Sequence, residues 1–89
     1  MLHCEQIRAG RALLAWSQAE LADRAGVSEM TIRRLESRNG IAGGTVNTVL
    51  RIQKALEAAG VLFIMPIFDE GPGVKLVKSP VTRRTKKQV

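Results

Sequence analysis

Cysteine is nearly absent from this chain, and with it go several function classes. A lone Cys4 among 89 residues rules out an internal disulfide and a cysteine-rich zinc site, and it fits a reducing cytosol. One histidine, His3, sits beside it without the further ligands a metal site needs. There is no tyrosine, and the single tryptophan, Trp16, is expected to plug the core above a helix rather than stack on bases. No apolar run approaches the roughly 20 residues that span a bilayer; the longest, Val61 to Phe68, is interrupted by Pro66. No signal-peptide pattern opens the chain, so a soluble cytoplasmic protein with no membrane partner is expected. Paired catalytic carboxylates, a Ser/His/Asp set and a glycine-rich phosphate loop are all missing, which argues against an enzyme and against any cofactor.

Net charge is also scarce outside one segment. Of the formal +6, the tail KSPVTRRTKKQV contributes five cations (Lys78, Arg83, Arg84, Lys86 and Lys87) and no acids, leaving nine Lys/Arg against eight Asp/Glu elsewhere. The body is nearly neutral. A basic tail suits the phosphate backbone or a minor groove, and equally a solubilising, unstructured end. A chain of this length makes one small domain of marginal stability, for which a partner subunit is a natural remedy.

What is present is a series of helix signals. EQIRAGRALLAW spaces Ile7, Ala12 or Arg11, Leu14 and Ala15 at helical intervals, predicting a helix over 5–16. Ser17 opens SQAE, a capping box in which the hydroxyl takes the Glu20 amide and the Glu20 carboxylate reaches back to the Ser17 amide. A second helix then runs over 18–25, with Leu21, Ala22 and Ala25 inward, and Gly26 ends it. Ser28 caps a third helix over 29–38, stopped by Asn39-Gly40. GIAGG (40–44) reads as a flexible loop. Thr45 caps a fourth helix over 46–59, whose stripe is Val46, Val49, Leu50, Ile52, Leu56 and Ala59, and Gly60 closes it. VLFIM (61–65) and GVKLV (73–77), separated by the turn-forming DEGPG, predict a β-hairpin.

Two short helices joined by a glycine-containing turn make a helix-turn-helix unit. Ala22 is the small residue where the helices cross, Gly26 reverses the chain, and Leu21, Ala25, Val27, Ile32 and Leu35 supply the buried contacts. Together these requirements form a specific signal.

The segment SQAELADRAGVSEMTIRRLE (17–36) resembles the phage-repressor and Xre-type helix-turn-helix family, and the resemblance extends over Glu5 to Gly60. It implies a mainly α, four-helix repressor-like fold (lambda repressor-like) followed by a short C-terminal β-hairpin, as in small bacterial regulators of this type. The expected organisation is a DNA-binding domain over 1–60 with its helix-turn-helix at 18–37, a hairpin over 61–77 and a basic tail over 78–89. The resemblance also implies an ion pair between Arg11 and Glu36 that ties helix 1 to helix 3. Carried over position by position, Glu29, Met30, Arg33 and Arg34 face base edges in the major groove. Helical arithmetic agrees, because Ile32 and Leu35 turn inward and leave those four outside. Arginine suits guanine, glutamate a cytosine amino group, and methionine a thymine methyl. Glu29 has two readings: it contacts cytosine, or it pairs with Arg33 four residues on and orients it. Gln18 resembles the family's phosphate clamp, with Ser28, Thr31, Arg38 and Asn39 as further phosphate contacts.

The first strand is apolar on both faces, Val61, Phe63 and Met65 on one and Leu62 and Ile64 on the other. A small helical body covers one face only. A homodimer through Val61, Leu62, Phe63, Ile64, Met65, Val74 and Leu76 is therefore expected, setting two reading helices about 34 Å apart on DNA. The implied function is a sequence-specific regulator of transcription, a dimer on a pseudo-palindromic operator acting by repression or autoregulation. The competing reading is a protein-interaction module of the same fold, an antitoxin or anti-activator whose partner is a toxin or another regulator.

Overall fold

A computed structural model of the chain describes residues 2–77. The basic tail Lys78 to Val89, with its expected DNA role, lies outside the described residues. Four helices come first: α1 (Cys4–Leu13), α2 (Gln18–Ala25), α3 (Glu29–Glu36) and α4 (Val46–Ala58). Two strands follow, β1 (Val61–Ile64) and β2 (Gly73–Leu76). The strands pair antiparallel, with Val61 opposite Leu76, Leu62 opposite Lys75, Phe63 opposite Val74 and Ile64 opposite Gly73. No helix among the described residues is long and apolar enough to cross a membrane.

Helix boundaries follow local chemistry where that chemistry is unambiguous. The Ser17 hydroxyl accepts from the Glu20 amide at 3.0 Å, so α2 starts where the cap predicts. The return bond of the capping box does not form, because the Glu20 carboxylate pairs with Arg24 one turn on, at 2.7 Å. At its other end Gly26 takes φ 71°, while Val27 N–H donates to Ala22 O and Gly26 N–H to Asp23 O. That is the Schellman arrangement, and glycine is the residue that enters it without strain.

The same arrangement ends α1 three residues earlier than the apolar spacing predicts. Trp16 N–H bonds Arg11 O at 3.1 Å, Ala15 N–H bonds Ala12 O at 3.1 Å, and Ala15 takes the left-handed conformation at φ 57°. An alanine there gives no warning in the sequence. Helix α3 likewise stops at Glu36 instead of Arg38, and the strands end before Met65 and Val77.

The core gathers Ile7 of α1, Leu21, Ala22 and Ala25 of α2, Ile32 and Leu35 of α3, Val49, Ile52 and Leu56 of α4, and Val61 of β1. Each fully buried Leu or Ile contributes roughly 1.5–3 kcal/mol relative to exposure. The inner face of α1 differs from expectation. Cys4, Gln6, Ile7 and Gly10 are buried and Leu14 is half-buried, while Ala12 and Ala15 are exposed. The hairpin causes this by lying against α1, which turns Gln6 into a buried polar anchor. Its Nε2 donates to Ile64 O at 3.0 Å and Gly73 O at 2.9 Å, and its Oε1 accepts from His3 N–H at 2.9 Å. A buried amide so partnered incurs little desolvation penalty and fixes the hairpin in place. On α4, Val46 and Leu50 are exposed, so the predicted stripe is wider than the face the core uses. Gly60, at φ 108°, must stay small because a Cβ there would meet Val77 O at 2.9 Å.

The loop over 40–44 is partly fixed, contrary to its flexible reading. Cys4 N–H bonds Gly40 O and Ala42 N–H bonds Leu2 O, both at 2.8 Å, and Ala42 is buried.

Candidate nucleic-acid interface

The orientation of α3 follows from its buried residues. Ile32, Leu35 and Glu36 face inward, and Glu29, Met30, Arg33 and Arg34 are all exposed on the opposite side. Met30 is 57% exposed, an unusual position for a methionine in so small a domain. The Ser28 hydroxyl accepts from the Thr31 amide at 3.1 Å and starts the helix. Arg33 Nη2 lies 3.0 Å from Glu29 Oε2. The acid on the outward face thus holds the arginine one turn further on, and both stay more than 40% exposed.

Behind this face lies the most elaborate polar network in the domain. Arg11 reaches from α1 and binds both Glu36 carboxylate oxygens, each at 2.8 Å, a two-pronged pairing that fits the planar guanidinium. A third Arg11 donor reaches Trp16 O at 2.8 Å. Gln18 Nε2 also donates to Glu36 Oε1, at 3.1 Å. The Glu36 hydrogen bonds raise the Arg11 guanidinium further above its already high ordinary value. The arginine–glutamate pair implied by the resemblance therefore forms, and it ties α1, α2 and α3 together.

The other residues expected near phosphate are distributed around α3. Gln18 is half-buried at the start of α2, with one amide hydrogen spent on Glu36 and one free. The Ser28 and Thr31 hydroxyls lie 2.8 Å apart, so one hydroxyl hydrogen is used between them and the other is left for an incoming acceptor. Arg38 and Asn39 are exposed just past the helix end. A cleft of about 250 Å³ between α3 and the first turn of α4 is lined by Thr31, Arg34, Arg38, Gly43, Gly44 and Thr45, among others. Two guanidiniums and the positive end of a 13-residue helix suit an anionic group there.

Sequence reasoning missed several contacts that hold this surface. Arg8 donates to Glu36 O, Arg38 O and Asn39 Oδ1, and Arg51 of α4 donates to Gly26 O at 3.2 Å. Nothing in the local sequence marks them, since the partners are 25 to 31 residues away. Trp16 is half-buried against the core, as expected, with the Arg24 guanidinium 4.6 Å from its ring centre. Burial raises the Cys4 thiol above its ordinary range, an inert setting for sulfur. Among the described residues no group of three His, Cys, Asp or Glu is placed to hold a metal ion.

No curated protein and no solved structure matches the chain at a significant level. A helix-turn-helix family does match, over residues 7–60, a span that begins inside α1 and ends where the hairpin starts. The four helices, the outward basic face of α3 and this match agree: the chain belongs to the HTH_3, Xre-type helix-turn-helix family of DNA-binding, non-enzymatic domains of transcriptional regulators.

Proposed function

We propose that this protein acts in the bacterial cytoplasm as a dimeric, sequence-specific regulator that inserts α3 into the major groove of a pseudo-palindromic operator and represses or autoregulates transcription. The observation that carries the reading is the phase of α3: Glu29, Met30, Arg33 and Arg34 are exposed together while Ile32 and Leu35 are buried. In this reading Arg33 and Arg34 bind guanine, Met30 touches a thymine methyl, and Gln18, Ser28, Thr31, Arg38 and Asn39 contact phosphates. The 3.0 Å pair supports an orienting role for Glu29, which holds Arg33 for bidentate contact.

The hairpin supports the dimer, with a narrower set of residues than the sequence suggested. Val61 is 0% exposed, and Phe63 and Val74 pack against the helices, so these three serve the domain's own core. Leu62, Ile64, Met65 and Leu76 remain exposed, together with Ile67 and a fully exposed Phe68. Leu62 and Ile64 share the strand face turned away from the helices, and exposed apolar residues gathered on one hairpin are most simply covered by a second copy. The same exposed tip favours, as the second reading, a protein partner of an antitoxin or anti-activator.

Selection of bound sequences from a random DNA pool, with sedimentation at micromolar concentration, tests the proposal. Two half-sites about one helical turn apart and a dimer are expected. Monomeric behaviour at that concentration defeats the dimer. Absence of any preferred sequence, with a protein captured instead, favours the second reading.

A further inference from the structure

The segment that leaves the reading helix is held by an arginine of α1, Arg8. Arg8 lies one turn before Arg11 on α1, so the two guanidiniums emerge on one side of the helix. Arg11 takes the Glu36 carboxylate, and Arg8 takes the backbone beyond it. Its Nη1 donates to Glu36 O and to Arg38 O, each at 2.6 Å, and its Nη2 donates to Asn39 Oδ1 at 3.0 Å. The first two bonds satisfy carbonyls at a helix end, where a cation is also favoured by the helix dipole. The third decides how Asn39 faces. A guanidinium only donates, so the Asn39 oxygen must point to Arg8 and the NH2 group must point away. Asn39 is followed by Gly40, whose N–H donates to Glu5 Oε1 at 3.0 Å and whose carbonyl accepts from Cys4 N–H. The residue is therefore fixed on both sides, and only its donors are presented outward.

We infer that Arg8 is a positioning residue for the DNA backbone contact: it holds the Arg38–Asn39 step so that the Arg38 guanidinium and the Asn39 amide hydrogens meet phosphate. This rests on the reading of α3 as the groove-binding helix. Arg8 contributes through Asn39 and Arg38, because both Nη1 hydrogens and one on Nη2 are committed to that segment. Its loss should therefore alter the number of phosphates neutralised or bound and leave base preference as it was.

Arg8→Gln and Asn39→Asp, each as full-length protein, test this against a DNA site obtained by selection with the wild type. Arg8→Gln should weaken binding roughly tenfold at moderate salt and flatten the plot of log affinity against log salt by about one unit, the share of one phosphate contact. Its ranking of single-base variants of the site should not change. Asn39→Asp keeps the oxygen that Arg8 binds, so thermal stability should hold while affinity falls by a similar factor. In an Asn39→Asp background, adding Arg8→Gln should cost clearly less than it does alone. An Arg8→Gln protein that unfolds like wild type and keeps the wild-type salt slope overturns the inference. So does a pair of variants whose losses simply add. If Arg8→Gln does not fold, retention of wild-type affinity by Asn39→Asp overturns it equally. Failure of the wild type to prefer any DNA sequence defeats the groove-binding reading instead, which keeps the two failures distinct.

Discussion

Removing Arg11 should cost this domain a large share of its stability, and more than removing Glu36. The asymmetry comes from burial: the Glu36 side chain is 4% exposed and that of Arg11 is 24% exposed. In Arg11→Met the carboxylate stays in the interior with one remaining side-chain donor, Gln18 Nε2 at 3.1 Å. Leaving one partner of a buried pair costs about 3–5 kcal/mol. Small domains have about 5–15 kcal/mol in total, so the variant approaches the unfolding threshold. At about 4–8 °C per kcal/mol for a domain of this size, Tm should fall by roughly 12–40 °C. In Glu36→Gln, Arg11 keeps its bond to Trp16 O at 2.8 Å and can turn toward water, so the loss should be about 1–3 kcal/mol.

The double variant Arg11→Met/Glu36→Met removes both charges and replaces them with apolar volume, which is often neutral or stabilising for buried pairs. It should recover to within about 1 kcal/mol of wild type, giving a coupling energy of about 2 kcal/mol or more. Urea unfolding followed by far-UV circular dichroism measures these variants beside wild type, with Glu36→Met as the second single variant that closes the thermodynamic cycle. If Arg11→Met costs less than about 1 kcal/mol, or no more than Glu36→Gln, the pair behaves as a solvated surface bridge. The burial argument would then be refuted.

Four further outcomes follow from the same geometry. Ala15→Gly relieves a left-handed residue at an exposed position and should stabilise by about 0.5–1 kcal/mol after the entropy of glycine is counted, read as a higher urea midpoint. Ala22→Leu forces a larger side chain into a buried site on α2 and should cost about 1–3 kcal/mol by the same assay. Cys4 is buried with its thiol raised by desolvation, so its reaction with a disulfide reagent should proceed at the rate of unfolding and accelerate in urea; rapid reaction of the folded protein would contradict its burial. Glu5 ionises below the ordinary carboxylate range because its own backbone amide and that of Gly40 bind the carboxylate. Its contribution is complete above the unfolded value of about 4.3 and is lost as pH falls through the lower folded value, so Glu5→Gln should flatten the acid limb of a stability–pH curve.

The fold was most legible where one residue decides one event. Ser17, Gly26, Ser28 and Thr45 are each a cap or a stop, and α2 and the starts of α3 and α4 fall where those residues place them. The helix-turn-helix frame depends on that local chemistry, which is why the family is legible in the sequence. Illegible features share a different physical origin, since they depend on partners distant in sequence. Gln6 looks like an ordinary polar helix residue until carbonyls 58 and 67 residues away need donors. The inner face of α1 shifts with it, from Ala12 and Ala15 toward Cys4 and Gly10. Apolar spacing on α4 likewise could not separate Val49, Ile52 and Leu56, which fill the core, from Val46 and Leu50, which remain in water. A hydrophobic pattern reports what can be buried, and only the placement of the other elements settles what is.

The candidate site divides along the same line. Which residues of α3 face outward was a matter of helical phase, fixed once Ile32 and Leu35 were assigned inward. Even the pairing of Glu29 with Arg33 was visible as a four-residue spacing, though spacing alone left it level with a direct contact to cytosine. What holds α3 against its neighbours was visible only in part. Arg11 and Glu36 came through the family resemblance, whereas Arg8, Gln18 and Arg51 entered the network through tertiary placement. In the proposed reading the outward side chains can vary with the operator, because they support little else in the fold. The inward network cannot vary so freely, since Glu36 would be left buried without its cation. A change at Glu29 or Arg33 should therefore alter which DNA is bound while preserving the domain, and a change at Arg11 should lose the domain before its specificity can be measured.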